Sequence, residues 1–227
     1  MKLKCGLLII FLIALSCTVK KTIAVEQSSE LGSEVVYDTT LTIDSHVYNV
    51  TGLTGGPLFI ADAKGDTLLK EETASDAWFE RFNDDDYPDL RVMYMTNVPD
   101  IGNVYLYDSG NHAFRKIDDV SHFPAAQRLM NTACYYSYHR SGCADQNWGS
   151  ELFIIKDFKT YCIGRIEAYG CANGEGDPKD GIYVYKQHGE NDEGILIHTI
   201  PIDTIGTYED YKWGFIADYW TKQYRLF

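Results

Sequence analysis

Short runs of alternating apolar and polar residues, rich in Val, Ile, Tyr and Phe and each closed by a polar or glycine turn, recur from Glu34 onward. Alternation sends successive side chains to opposite faces of an extended chain, so this period marks half-buried β-strands. It predicts strands over Glu34–Ile43, Val47–Val50, Leu58–Ala61, Thr67–Lys70, Trp78–Phe82, Leu90–Met95, Val104–Tyr107, Phe114–Ile117, Asn131–Tyr138, Glu151–Ile155, Tyr161–Tyr169, Ile182–Tyr185 and Ile195–Thr199. Val104–Phe114 reads as a hairpin, with Asp108 to Asn111 supplying the turn. Ile182–Lys186 and Ile195–Ile197 echo it, either as a remnant of a propeller-like repeat or, as we favour, as an ordinary aromatic hairpin.

Helix is expected in two places. Ser121–Met130 has Ser121 as an N-cap and Pro124 near its start. At the C-terminus, Tyr208, Tyr211, Phe215, Tyr219 and Trp220 fall on 3–4 spacing after a capping Thr207, a stripe most simply read as core packing, with a ligand platform as the lesser alternative. The pattern predicts an all-β, mainly antiparallel fold, a sandwich or a small propeller-like arrangement with a short C-terminal helix. One domain over residues 34–227 is enough to bury a core.

The strands are preceded by a different pattern. Two lysines within Met1–Lys4 and an apolar run from Gly6 to Leu15 have the layout of a secretory signal, too short to cross a bilayer. Two endings fit. Ala14-Leu15-Ser16-Cys17 resembles a bacterial lipoprotein signal, giving a leader over residues 1–16 and a lipid on Cys17; otherwise cleavage follows Ala24. The position of Cys17 at the end of the apolar run favours the lipid anchor. Residues 17–33 have no periodicity and read as a tether. The chain is therefore expected to be exported, periplasmic or membrane-anchored, and to meet the membrane only through Cys17.

Charge and cysteines narrow the partners. The formal net charge is −13, and loss of Lys2 and Lys4 with the leader makes it more negative still. Such a surface serves solubility, disfavours nucleic acid and anionic membranes, and suits a cationic partner. Cys134, Cys143, Cys162 and Cys171 remain for an oxidising compartment, where disulfides are the default. Three pairings are possible. The equal offsets of Cys134 to Cys162 and of Cys143 to Cys171 favour those two bridges over the local pairs.

The densest polar cluster is Asn83-Asp-Asp-Asp-Tyr-Pro-Asp89. Oxygen ligands at alternating positions with a returning carboxylate suit a hard cation, so Asn83, Asp85 and Asp89, with the Tyr87 carbonyl, form a possible calcium site. The stretch resembles the calcium loop D-x-(D/N)-x-D-G-x-x-D-L of FG-GAP-like and VCBS-like modules, matching at Asn83, Asp85, Asp89 and Leu90. It departs at Arg81, where the first ligand should stand, and at Asp86, where the glycine should. Arg81 could instead bridge the carboxylates in place of a metal.

The second cluster runs from Tyr135 to Trp148. Tyr138, His139, Arg140, Ser141, Gly142, Asp145 and Trp148 are residue types that dominate binding hot spots, and Cys143 could lock their loop. The structural alternative has the tyrosines alternating in a sheet, Arg140 paired with Asp145, and Trp148 in the core. Catalysis is not expected. His139, Ser141 and Asp145 are too crowded for a triad, and neither G-x-S-x-G nor H-E-x-x-H occurs.

The leader, the Asn83–Leu90 loop, the Val104–Phe114 hairpin and Tyr138–Asp145 together resemble exported bacterial proteins with one FG-GAP-like loop, over roughly Trp78 to Lys186. Some of these resemble periplasmic lysozyme inhibitors. The resemblance implies an all-β, non-enzymatic envelope protein that inserts a Ser-Gly loop, here Arg140-Ser141-Gly142, into the cleft of a cationic cell-wall hydrolase. A carbohydrate-binding or structural envelope lipoprotein is the alternative.

Overall fold

The computed structural model describes residues 35–53, 55–171, 179–188 and 192–227. The expected leader, the tether and Cys17 lie outside these residues. Strands form where the alternation predicts them: β1 (Val35–Ile43), β2 (His46–Leu53), β3 (Leu58–Asp62), β4 (Thr67–Glu71), β5 (Asp76–Glu80), β6 (Asp89–Met93), β7 (Gly102–Asp108) and β8 (Ala113–Lys116). The second half holds β9 (Gln127–Arg128), β10 (Cys134–Tyr136), β11 (His139–Gly142), β12 (Asn147–Lys156), β13 (Lys159–Tyr169), β14 (Gly181–Lys186) and β15 (Ile195–Ile200). Every pairing between these strands is antiparallel.

They make three sheets. Two are four-stranded meanders, β1-β2-β3-β4 and β5-β6-β7-β8; the third has the order β15-β14-β13-β12-β10-β9, with β11 added to β12. The sheets stack. Leu41, Val50 and Ile60 of the first meet Leu90, Val92 and Tyr105 of the second in one core. The opposite face of the second sheet sends Val104 against Tyr135, Phe153 and Cys162 of the third. Period-2 geometry explains how β7 and β12 serve two cores each: Val104 and Tyr105 are neighbours, as are Leu152 and Phe153, and they leave opposite faces.

The far face of the third sheet is closed by α1 (Tyr211–Gln223) through Phe215, Ile216, Tyr219 and Trp220. Phe215, Tyr219 and Trp220 belong to the expected stripe and Ile216 joins them, whereas Tyr211 is exposed. Trp220, fully buried, donates its indole N–H to Ser150 Oγ at 2.8 Å, and Ser150 passes its own proton to the Ser137 carbonyl at 2.7 Å. The helix begins at Tyr211, later than the expected Thr207. Thr207 instead ends a 3-10 turn, Ile202–Thr207, and its hydroxyl bonds back to the Thr204 carbonyl.

The other expected helix does not form. Residues 121–130 hold a 3-10 turn at Val120–His122 and then β9. Phe123, Ala126 and Leu129 have helical spacing, but Phe123 and Ala126 enter the core between the second and third sheets while Leu129 enters the core under α1. A helix would hold all three on one face. The segment instead crosses the edge of the third sheet.

Cys143 and Cys171 form the expected disulfide, with 6.2 Å between their Cα atoms. The second expected bridge is corrected: Cys134 and Cys162 are buried thiols. They pair in register with Ile154 and Phe153, successive residues of the strand that runs between them. Their side chains therefore leave opposite faces of the sheet, from strands about 10 Å apart, beyond the reach of a disulfide. The Cys162 thiol bonds Gln187 Oε1 at 3.0 Å.

Candidate binding site

Asn83, Asp85 and Asp89 do converge on one turn before β6, but their oxygens are engaged by the chain itself. Asp89, with no exposed surface, accepts the backbone N–H groups of Phe82 (3.0 Å) and Asn83 (3.3 Å) on Oδ2 and that of Tyr107 (2.9 Å) on Oδ1. Asn83 donates its amide to Asp85 Oδ2 at 2.8 Å, and Asp85 Oδ1 accepts the Tyr87 N–H at 2.9 Å. Asp89 thus ties the loop to β7. Burial pushes its carboxyl up to about 6, against the opposing pull of its N–H donors. Arg81 does not bridge the carboxylates: it reaches Asp86 at 3.6 Å on the surface, and Asp84 is held by Arg128. Among the described residues no group of three or more His, Cys, Asp or Glu side chains is placed to hold a metal.

The Tyr138–Trp148 cluster is divided by the fold. Trp148, 1% exposed, packs edge-on to Phe215 in the core, and Tyr138 is buried with its hydroxyl on Asp145 Oδ1. Neither is a surface anchor: Trp148 points inward from β12, and Tyr138, in the link between β10 and β11, is packed in the same core beneath α1. Asp145 also pairs with Lys212 of α1, so the expected Arg140–Asp145 pair is not made; Arg140 donates to the Asn97 carbonyl. Asp145 is held below the usual carboxylate range because the Lys212 and Tyr138 hydrogen bonds outweigh its desolvation.

What stays at the surface is the tip of β11. Arg140, Ser141 and Gly142 are exposed, and Gly142 has φ +117°, a conformation that L side chains rarely adopt. Cys143 follows at once and fixes the tip through its disulfide. At the base of β11, His139 Nε2 bonds Glu151 Oε1 at 2.9 Å, and that bond raises the imidazole above its ordinary value against the effect of burial. The ring lies over Gly149, where an added Cβ would come within 2.5 Å of Nε2. Glu151 takes the Ser137 hydroxyl on its other oxygen. His139 is thus bonded to Glu151 and Asp145 to Tyr138 and Lys212, not to each other.

A second surface feature lies at the start of α1. A groove of about 1020 Å³ is walled by Trp148 and Gly170 from the sheet, Ile202 and Ile205 from the 3-10 turn, and Tyr211 and Trp213 at the start of α1. Asp145 and Lys212 also line it. Tyr211 is 66% exposed and Trp213 45%, and Trp213 rests on the Tyr138 ring at a centroid distance of 3.9 Å. Tyr211 belonged to the predicted stripe, but the 3–4 spacing does not show that it stands exposed at the start of α1.

No family model matches the chain, and no curated protein does. Among solved structures, it is similar to one described as a Xanthomonas Type IV Secretion System related protein, at 12% identity and a TM-score of 0.39, over 74% of this chain and 84% of that one. Among the described residues no helix is long and apolar enough to cross a membrane.

Proposed function

We propose that this chain is an exported, non-enzymatic binding protein of the bacterial cell envelope that inhibits a cell-wall hydrolase with the Arg140-Ser141-Gly142 tip. One observation carries the reading: three exposed residues of the recognition cluster stand on a short strand anchored on both sides. The disulfide at Cys143 follows the tip, and the His139–Glu151 bond and pairing to β12 hold its base. A tip ordered before contact loses less conformational freedom on binding than a free loop. The acidic chain suits a cationic hydrolase, and the leader and Cys17 supply a route to the envelope.

The test is a binding titration of the purified chain against a panel of basic lysozymes, followed by a cell-wall lysis assay. Arg140→Ala should weaken inhibition about tenfold or more with unchanged circular dichroism. Absence of inhibition across the panel, or full inhibition by Arg140→Ala together with Ser141→Ala, would refute this role for the tip.

A further inference from the structure

We propose that the stacked pair His46 and His112 is a proton-operated clasp between the first two sheets, closed while at most one of the two imidazoles is charged and opened when both are. It does not depend on the hydrolase-inhibition reading, since neither histidine belongs to the β11 tip.

The two rings come from different sheets. His46 opens β2 after a tight turn in which Asp44 and Ser45 both take positive φ, and His112, itself at φ 50°, stands in the turn before β8. Both residues are exposed, and their rings lie face to face with centroids 3.9 Å apart and planes 22° from parallel. Their contact joins the β1–β2 turn to the β7–β8 turn.

Hydrogen bonding fixes which nitrogen of each ring titrates. His46 Nδ1 lies 3.0 Å from the Asp44 carbonyl, which can only accept, so Nδ1 carries the hydrogen. For His112 a cycle of three bonds decides. The Tyr48 hydroxyl donates to the His112 carbonyl at 2.9 Å, which leaves its oxygen to accept from Tyr107 at 3.0 Å. The Tyr107 proton is then engaged, so His112 Nδ1, 3.3 Å away, donates to the Tyr107 oxygen. Burial holds the Tyr107 hydroxyl protonated far above neutral pH, and the cycle persists while histidines titrate. Each imidazole therefore gains and loses its charge at Nε2, over the pH range of about 5 to 8 in which histidine acts.

The first and second protons differ in effect. A single imidazolium faces the π-surface of a neutral ring, an arrangement that favours the stack. A second faces a like charge at 3.9 Å, and parting the rings relieves that repulsion. Asp44, Tyr48 and Tyr87 are the titratable groups that act on Tyr107, and Asp108 of the same hairpin is paired with Arg115. Asp44 favours the first proton, but one carboxylate does not offset two imidazolium charges. The side that yields is also set. His112 is tied to the buried Tyr107 through its ring and to the buried Tyr48 through its carbonyl, whereas the Asp44 carbonyl that holds His46 belongs to the same turn and moves with it. The clasp opens at the β1–β2 turn, and Tyr48 and Tyr107 stay in the core that the two sheets share.

The experiment is nuclear magnetic resonance of the purified chain carrying labelled histidine, followed from pH 8 to pH 4. Ring protonation and the through-space contact between the His46 and His112 rings are read together. The native pair should take up its protons in two steps, the second about fivefold more weakly than the single proton of His46→Phe, which keeps a ring against His112 and removes the second charge. The contact between the two rings should survive the first step and vanish with the second, while the contact of Tyr48 with Tyr107 persists. This readout needs no variant. Ring contact retained at pH 4 with both imidazoles charged would overturn the proposal. So would two protons bound as tightly as the single protons of His46→Phe and His112→Phe, or loss of the Tyr48–Tyr107 contact in the same step, which would mean general unfolding in acid.

Discussion

At the scale of single residues, Asp89 shows how the same side chains can resemble a metal loop and do something else. Its carboxylate organises three backbone N–H groups from two segments, work that a cation shares in a true calcium loop. Asp89→Ala leaves those donors without an acceptor in a buried place, at an expected cost of about 3 kcal/mol or more, read from urea unfolding. The carboxyl also titrates where stability can be followed. With a folded value of about 6 and an unfolded one near 3.9, the native chain holds a proton between those limits that the unfolded chain has released. Its contribution therefore favours folding most below about pH 4 and is lost as the pH rises through 6. Subtracting the pH series of Asp89→Asn from that of the native chain should leave a stability difference that falls between pH 4 and 6; a flat difference would mean the N–H bonds outweigh burial.

Among elements, β11 carries the argument, and its local sequence alone does not mark it as a strand. His139-Arg-Ser-Gly142 has no apolar alternation, and it pairs because Gly149 on β12 leaves room for the His139 ring and Glu151 bonds it. Most of the thirteen strands that the alternation predicts were legible because their apolar residues alternate into a core. The crossing at residues 121–130 was not, since a spacing of three says nothing about which core a residue enters. The cysteines divide in the same way: Cys143 and Cys171 come together across loops, while β12 separates Cys134 from Cys162. Joining positions 28 residues apart restricts the unfolded chain, so Cys143→Ser with Cys171→Ser should cost about 3 to 4 kcal/mol in denaturant midpoint experiments. It should also speed amide exchange at Arg140 and Ser141 more than at β6. Equal protection in both strands would show that the tip is ordered without the bond.

For the whole molecule, three stacked sheets and a closing helix leave the charge on the outside, where its effect is long-ranged. Most of the ion pairs among the described residues have at least one well-exposed member and contribute little to stability. The net charge of −13 acts instead on approach. A field of that sign raises the encounter rate with a basic partner and decays within a Debye length, about 8 Å at 0.15 M salt. If the partner is a cationic hydrolase, the association rate should fall about tenfold or more between 0.02 and 0.5 M salt, while the dissociation rate, set by contacts at the tip, changes far less. Stopped-flow measurements across that range separate the two. An association rate independent of salt would assign the acidic surface to solubility alone and leave the tip to select its partner by shape.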